Sequence, residues 1–437
     1  MPLTRKDFTT DRHGWAELLP GRLAHQTLNG AHHVPWVVIG AGFTGLACAR
    51  RLGELHRDDE IILVDARQIG QCASGRNAGF AIVASQFPGA HETAQMPEYK
   101  RLNRINQAGV DVLRDQVKAH DIDCHWDENG FHYGAADNLS MAECEHFLRY
   151  LDIMEVPHTQ LDQHELTKRL GTAIYRKGVH VPVGALVQPA LLVYGLADSL
   201  PDNVTLYENS PVLKIDHGPP LELAFEQARI KTDKVVIATN YEAGKIGYLN
   251  RYLTTGTLAG SFSQVLTDDE IASLGDLQQW GVLSLHGGGA TVRLTADKRV
   301  VVRNTVEYNG DALLSEKQLA ERQSVHRESF ERRFPQLAHV PFEYSWSGVE
   351  GISRNGTNFF GKQRENVFLA GGYNGSGVSK GTAFGKAVAE YASGGQSQLI
   401  SDCLASKPGK WLPPRPLLDM GAAVKIALRL KGIGLDR

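Results

Sequence analysis

The 437-residue chain is short of the features that mark several classes of protein. Its five cysteines, Cys48, Cys72, Cys124, Cys144 and Cys403, are odd in number, widely spaced and free of any C-x-x-C pair. That pattern argues against a disulfide frame or a thiolate zinc site and for reduced thiols. The formal charge is only -3, with acids and bases mixed throughout. No acidic tail or polybasic tract is present, and nothing favours nucleic acid as a partner. The most apolar run, residues 34–49, is broken by glycines and falls short of the roughly 20 residues a membrane helix needs. The opening stretch MPLTRKDFTTDRHGW lacks the apolar core of a secretory leader. Repeats and low-complexity segments are also missing. These absences predict a cytoplasmic globular chain of about two or three structural units.

Glycine is plentiful, with 45 residues, many gathered in a few loops. The first cluster lies in VPWVVIGAGFTGLACARRLGELHRDDEIILVDA, residues 34–66. The runs Val37–Ile39 and Ile61–Val64 read as buried parallel strands, and Leu46, Ala49, Leu52 and Leu55 fall on helical spacing between them. Gly40, Gly42 and Gly45 form G-x-G-x-x-G at the turn, and Asp65 follows 20 residues past the last of them. The first glycine allows a tight turn, the second admits a pyrophosphate and the third lets helix pack on strand. An acid at the end of the second strand is placed to accept from a ribose diol. The unit therefore predicts dinucleotide binding on a Rossmann-like α/β sheet.

Helices are predicted in 104–120 (RINQAGVDVLRDQVKAH), in 187–200 with Pro189 in the first turn, and in the charged stretch 315–334. WDENGFHYG, 126–134, reads as a hairpin, and RVVVRNTVEY, 299–308, as a strand. NSPVLKID and KVVIATN, within 209–240, read as strands returning to the nucleotide sheet. A second strand, glycine loop and helix occupy 366–394, so a second helix dipole is aimed at an anionic group in the same crevice. The tail PPRPLLDMGAAVKIALRLKGIG is a proline bend followed by a basic amphipathic helix. It is expected to pack on its own domain or a second subunit, with a membrane surface as the lesser alternative.

With both glycine turns placed, the chain resembles the D-amino-acid oxidase and glycine oxidase superfamily of FAD-dependent oxidoreductases, and within it the gamma-glutamylputrescine oxidase-like branch. The motifs are VVIGAGFTGL, ASGRNAG, KVVIATN and GGYNGSGV with the following GTAFGK, and the similarity runs from GWAELLP to about residue 395. The resemblance implies an α/β FAD-binding domain of the glutathione-reductase type with an interleaved α+β substrate domain on a mixed antiparallel sheet. Residues 30–95, 171–245 and 341–396 would form the first and 96–170 with 246–340 the second. An N-terminal extension, 1–29, and a tail, 397–437, would flank them.

The resemblance also implies the cofactor contacts. Gly40, Gly42, Phe43, Thr44 and Gly45 would meet the pyrophosphate, and Asp65 with Ala66 the ribose. Ser74, Gly75, Arg76, Asn77, Ala78 and Gly79 would run beside phosphate and ring system. Val212 would lie by the adenine, with Ala238, Thr239 and Asn240 closing over the cofactor. Gly372, Asn374, Gly375, Ser376, Gly377 and Val378 would sit against the pyrimidine side of the flavin. Three positions depart from the branch: Ala78 replaces a glycine, Ser376 a histidine, and Asn358 to Gly361 lack a proline.

The expected reaction oxidises a C–N bond of a small-molecule amine or amino acid, with hydride passing to flavin N5 and the imine hydrolysing. No general base is required, because the cofactor carries the chemistry. FAD is expected to be noncovalent, since residues 340–402 hold no cysteine. No second G-x-G-x-x-G unit serves a nicotinamide, which leaves O2 or another electron acceptor. Tyr252, Arg303 and Tyr373 are the substrate-side candidates, with Tyr248 and His286 behind them. A membrane-associated dehydrogenase passing electrons to quinone and a non-catalytic FAD-binding protein remain alternatives.

Overall fold

The computed structural model describes residues 13–84, 95–275 and 277–437. The first twelve residues of the expected extension, and 85–94 of the first cofactor segment, lie outside the described residues.

Buried, branched side chains dictate the first sheet. Strands Gly30–Ile39 and Ile61–Val64 pair in parallel from Trp36↔Ile61 to Ile39↔Val64. Trp36, Val38, Ile61 and Leu63 join one core, while Val37, Ile39, Ile62 and Val64 join another on the opposite face. Period-two alternation with apolar groups on both faces is the mark of a sheet covered on each side. The main strand order is Phe359–Arg364, Val367–Gly371, Ala228–Ile237, Gly30–Ile39, Ile61–Val64 and Val204–Tyr207. The last five run parallel, and Phe359–Arg364 closes one edge antiparallel. Helix Phe43–Leu55 crosses between the first two strands, with Leu46, Ala49 and Leu52 buried and Leu55 exposed at its end.

The second sheet has the order Phe342–Ser353, Leu253–Ser263, Val300–Glu307, Thr291–Leu294, Trp280–Ser284, Phe131–Ala135, Lys177–Val181 and Thr159–Asp162. Only the Trp280–Ser284 and Phe131–Ala135 pair is parallel. Helix Glu316–Arg333, started by a Ser315–Gln318 capping box, covers one face through Phe330, with Phe334 beside it.

Four expectations need correction. WDENGFHYG is not a hairpin: Phe131–Ala135 pairs with two distant strands, because Gly130 at φ +74° turns the chain away before a local partner forms. Of NSPVLKID only Lys214–Asp216 is a strand, and it joins a side ladder, since Asn209 at φ 52° breaks the run. The strand that reaches the nucleotide sheet there is Val204–Tyr207. The boundaries at 171 and 341 fall too early, because Lys177–Val181 and Phe342–Ser353 both belong to the second sheet.

Helix Gly377–Ala392 lies between helices Phe43–Leu55 and Met96–Ala119. A Cβ on Gly385 would stand 2.1 Å from the Thr44 carbonyl oxygen, and one on Gly109 1.8 Å from that of Ser379. Backbones this close leave no room for a methyl group, and separating them opens packing on both sides. Gly385→Ala should therefore destabilise the protein by about 1–3 kcal/mol. The same change at Gly421, whose Cβ meets nothing within 4 Å in an exposed helix, should stabilise by about 0.5–1 kcal/mol. Thermal unfolding midpoints of the two variants, shifted in opposite directions, check this.

Candidate active site

A cavity of about 1100 Å³ opens at the C-terminal ends of the parallel strands and is roofed by the second sheet. This exceeds the roughly 300–1,000 Å³ of most small-ligand sites and leaves room for a dinucleotide with a second molecule. The strand ends contribute Ile39, Val64 and Ala238. In α/β sheets ligands bind at such ends.

The first glycine turn forms one end. Gly40 has φ +97°, and a Cβ there would crowd the Ala238 carbonyl oxygen at 2.9 Å. A Cβ on Gly42 would meet Ser74 Oγ at 2.7 Å, so a side chain would close the groove. The amide of Phe43 donates to Ser74 Oγ at 3.1 Å, and Gly42, Phe43, Thr44, Ala66 and Ser74 all line the cavity. Gly45 does not line it; its Cβ would lie 1.7 Å from the Gly40 carbonyl oxygen, so it serves helix packing alone.

Asp65 accepts from the backbone amides of Ala41 (2.7 Å) and Arg67 (2.9 Å). Burial pushes its carboxyl up to about 6, against the pull of those two donors. Beside it Arg67 and Glu242 form a two-pronged ion pair at 2.9 Å on each arm. Burial opposes the Glu242 charge, yet Arg67 and Lys245 outweigh it and hold the carboxyl below its ordinary value. Cys72 also lines this end, and burial raises its thiol to about 12, so it stays protonated at neutral pH.

The ASGRNAG segment is one helical turn, Ala73–Arg76, held from several sides. Arg76 is buried and donates to the carbonyls of Gln71 (2.8 Å) and Ser347 (2.9 Å), tying the loop to the second sheet. Asn77 donates to the Ser74 carbonyl at 2.7 Å and accepts from the Gly79 amide at 2.8 Å. The indole of Trp15 donates to the Asn77 carbonyl (2.8 Å) and that of Trp346 to Arg76 (3.0 Å). Arg76, Asn77 and Ala78 line the cavity. Gly75 and Gly79 do not; their Cβ atoms would strike Gly70 and Arg293 at 2.2 Å.

The second glycine loop faces the first. Gly372, Asn374 and Gly375 all have positive φ. The Asn240 side chain accepts from the Gly372 amide at 2.8 Å, and Asn374 donates to the Gly372 carbonyl at 2.8 Å. Ser376 caps helix Gly377–Ala392 without a side-chain hydrogen bond, so its first-turn amides are available to an anion. Val212, Thr239, Asn240, Asn374, Gly375, Ser376, Gly377 and Val378 line the cavity, whereas Gly372 packs on Phe359 behind it.

Three substrate-side candidates reach the cavity: Arg303, Tyr373 and His286. Arg303 donates to Thr291 Oγ1 at 2.6 Å. The Tyr373 hydroxyl accepts from Thr44 Oγ1 at 2.8 Å, and burial raises its value. That bond makes it a link between the two glycine turns. Tyr252 and Tyr248 are not on the wall. Tyr252 is 39% exposed with its ring against Phe359, and Tyr248 is buried beside His217. Both follow the turn Asn240–Ile246, which carries the chain away from the crevice.

Several wall residues escaped the sequence reading. Trp346 and the unbroken run from Gly348 to Ser353, all on strand Phe342–Ser353, line the cavity, and the acid Glu350 lies within that run. Lys380, buried in the first turns of helix Gly377–Ala392, has its ammonium pushed down to about 8 by burial and by Arg101. No group of three or more metal-binding side chains occurs among the described residues.

The paired glycine turns, the carboxylate at the second strand and the long cavity define a dinucleotide-binding protein of the two-sheet kind. The family model described as FAD dependent oxidoreductase (DAO) matches residues 35–391, and the chain belongs to that family of flavin enzymes. It is 25% identical over 415 residues to gamma-glutamylputrescine oxidoreductase of Escherichia coli, covering 91% of this chain and 93% of that one. It is 26% identical to the probable oxidoreductase OrdL of Haemophilus influenzae, covering 85% and 86%. The fold matches glycine oxidase from Geobacillus kaustophilus with a TM-score of 0.72 at 16% identity, covering 84% of this chain and 96% of that one. L-proline dehydrogenase from P. horikoshii matches with a TM-score of 0.70 at 17% identity, covering 86% and 96%. The expected two-part α/β and α+β fold, the FAD cofactor and the oxidoreductase class are thereby established.

The Asp65 carboxyl gives a pH test with a definite sign. Its folded value lies above that of the unfolded chain, so the empty protein gains stability as pH falls through ~6 and loses it as pH rises through the same range. A ribose held by Asp65 would need the ionised acceptor, so FAD binding would run the opposite way. Affinity measured by fluorescence titration of the flavin-free protein should fall as pH drops below ~6. Asp65→Asn should lower it about 10- to 100-fold at neutral pH, since charge-assisted hydrogen bonds are worth about 1.5–3 kcal/mol, and should flatten that pH dependence.

Proposed function

We propose that the protein oxidises the C–N bond of an amine or amino acid that carries a carboxylate, using noncovalently bound FAD. Asp65 would hold the adenosine ribose, and the amides of Gly42 and Thr44 with Ser74 would hold the pyrophosphate, while the Phe43 amide fixes Ser74. Arg76, Asn77, Ala78 and the loop Gly375 to Val378 line the cavity where the ring system would be held. Bound there, FAD would supply a hydride acceptor for oxidation of the amine to an imine, which water would hydrolyse.

One observation carries the substrate reading: Arg303 and Glu350 share the cavity wall formed by the second sheet, on either side of strand Leu253–Ser263. Arg303 lies opposite Gly260 and Glu350 opposite Gly256, so the two charges are spaced along the sheet. A guanidinium binds a carboxylate in two-pronged fashion, and a carboxylate binds an ammonium. An elongated substrate with one group of each kind fits between them. The amine end, at Glu350 beside Gly375, would be the one that meets the flavin. The similarity to a relative named for gamma-glutamylputrescine, and to folds named for amino acids, supports this class. Tyr373 contributes position, through Thr44, and not proton transfer.

Anaerobic mixing with a panel of amines should bleach the flavin band only for compounds carrying a carboxylate distant from the reacting nitrogen. Arg303→Met should lower kcat/KM for those compounds by about 100-fold, in line with the ~1.5–3 kcal/mol of a charged hydrogen bond, and leave simple amines nearly unchanged. Bleaching by none of the amines would instead indicate a flavin held for a non-redox purpose.

A further inference from the structure

The C-terminal helix Leu417–Leu430 is apolar on two opposite sides. Leu418, Ala422, Ile426 and Leu430 are half-buried at four-residue spacing and face the protein, where the helix meets strand Val300–Glu307. On the other side Leu417, Met420, Val424 and Leu428 stand 61%, 66%, 60% and 65% exposed. Their spacing of three, four and four residues makes one continuous stripe. Gly421, Ala423 and Ala427 between them are also exposed. A helix apolar all round is a buried helix, and a contiguous apolar patch of this kind on a soluble surface marks an interaction site.

Charge identifies what covers it. The helix carries one acid, Asp419, and that acid is paired: it accepts from the Tyr308 hydroxyl at 2.7 Å and from Arg415 at 3.3 Å, with its side chain 40% exposed. Asp436, the next acid, is fully buried. Lys425 and Lys431 are exposed beside the stripe, and Arg429 adds a further cation in the sequence. The patch is thus apolar and rimmed with positive charge, and the one acid of the helix is neutralised by Arg415 on the side away from the stripe, on a chain whose formal charge is -3. A second copy of this chain would set like charges against each other across a two-fold axis. An anionic lipid headgroup layer with acyl chains beneath complements both the stripe and its rim.

The stripe is also continuous with the site. Lys425 and Leu428 lie on the cavity wall as well as on this helix. We propose that the helix Leu417–Leu430 docks the protein on an anionic bilayer surface, lying in the interface plane, and so brings the cavity mouth to the lipid. No helix among the described residues is long and apolar enough to cross a membrane, which fits attachment from one side. A lipid-soluble quinone then has a direct path to reduced flavin, and two electrons with two protons would convert it to the quinol. The electron-acceptor part rests on the flavin reading above; the docking part does not.

The full-length protein carrying FAD should co-sediment with vesicles of equal phosphatidylglycerol and phosphatidylcholine, and about tenfold less with phosphatidylcholine alone or at high salt. The double variant M420E/V424E and the single variant K431E should each weaken binding about fivefold or more, while retaining the 450-nm flavin band and its bleaching by substrate. Equal sedimentation of wild type and M420E/V424E, or none with the anionic vesicles, would overturn docking. A dimer in light scattering that M420E/V424E converts to monomer, without vesicle binding, would assign the stripe to a second copy. Docking with no quinone reduction would remove the acceptor part only.

Discussion

Three helices cross beneath the cavity at separations that only glycine permits. Gly109, Gly381 and Gly385 bring helix Gly377–Ala392 against Met96–Ala119 on one side and Phe43–Leu55 on the other. Gly45 seats the latter on the turn that precedes it. The crossing fixes where two helix N-termini point, and both point into one cavity. Each end offers roughly half a positive charge and a set of unpaired amides. A negatively charged dinucleotide can therefore be held by backbone alone, with the side chains left for selectivity. Tyr373 and Thr44 join the two ends by a single hydrogen bond.

The second sheet is joined to this frame through the ASGRNAG turn. Trp15, Trp346 and Arg293 donate to its successive carbonyls, and Arg76 reaches back to Ser347. Arg293 is fully buried, and burial pulls its guanidinium down to about 10. Placing such donors around a short turn is costly unless every one is used. Here the carbonyls use both indole N–H groups and the Nη1 of Arg293, and leave the Arg293 Nε without a partner. The result is a braced stretch of cavity wall, set by residues that come from four separate parts of the chain. Glycine at 79 is required because any Cβ there would displace the Arg293 guanidinium.

Charge is divided along the cavity. Asp65, Arg67 and Glu242 occupy the end at the first two strands, and Arg303 and Glu350 the roof. In the first group Arg67 pairs with Glu242 beside the Asp65 carboxyl. In the second, Arg303 and Glu350 stand on separate strands, with Arg303 bonded to Thr291 Oγ1. Separation of roles follows from topology, since the first set belongs to the parallel sheet and the second to the antiparallel one.

What the sequence determined by itself was local: the strand–turn–helix unit with Gly40, Gly42 and Asp65, the helix-opening loop at Gly375 to Gly377, and the capped charged helix. Each rests on spacings of a few residues, where propensity and hydrogen-bond geometry act before any long-range contact. The tertiary structure decided the rest. Gly75, Gly79 and Gly372 read as ligand-facing but serve packing, because only the approach of a distant backbone or side chain distinguishes the two uses, whereas the packing role of Gly45 followed from its place in the motif. Phe131–Ala135 found partners far away in sequence, and Tyr252 and Tyr248 left the crevice with the turn that carries them. Glu350 entered the wall with the whole run Gly348 to Ser353, where pairing with strand Leu253–Ser263 places that end of the strand. Side chains that meet across such distances are chosen by topology, which no short window of residues contains.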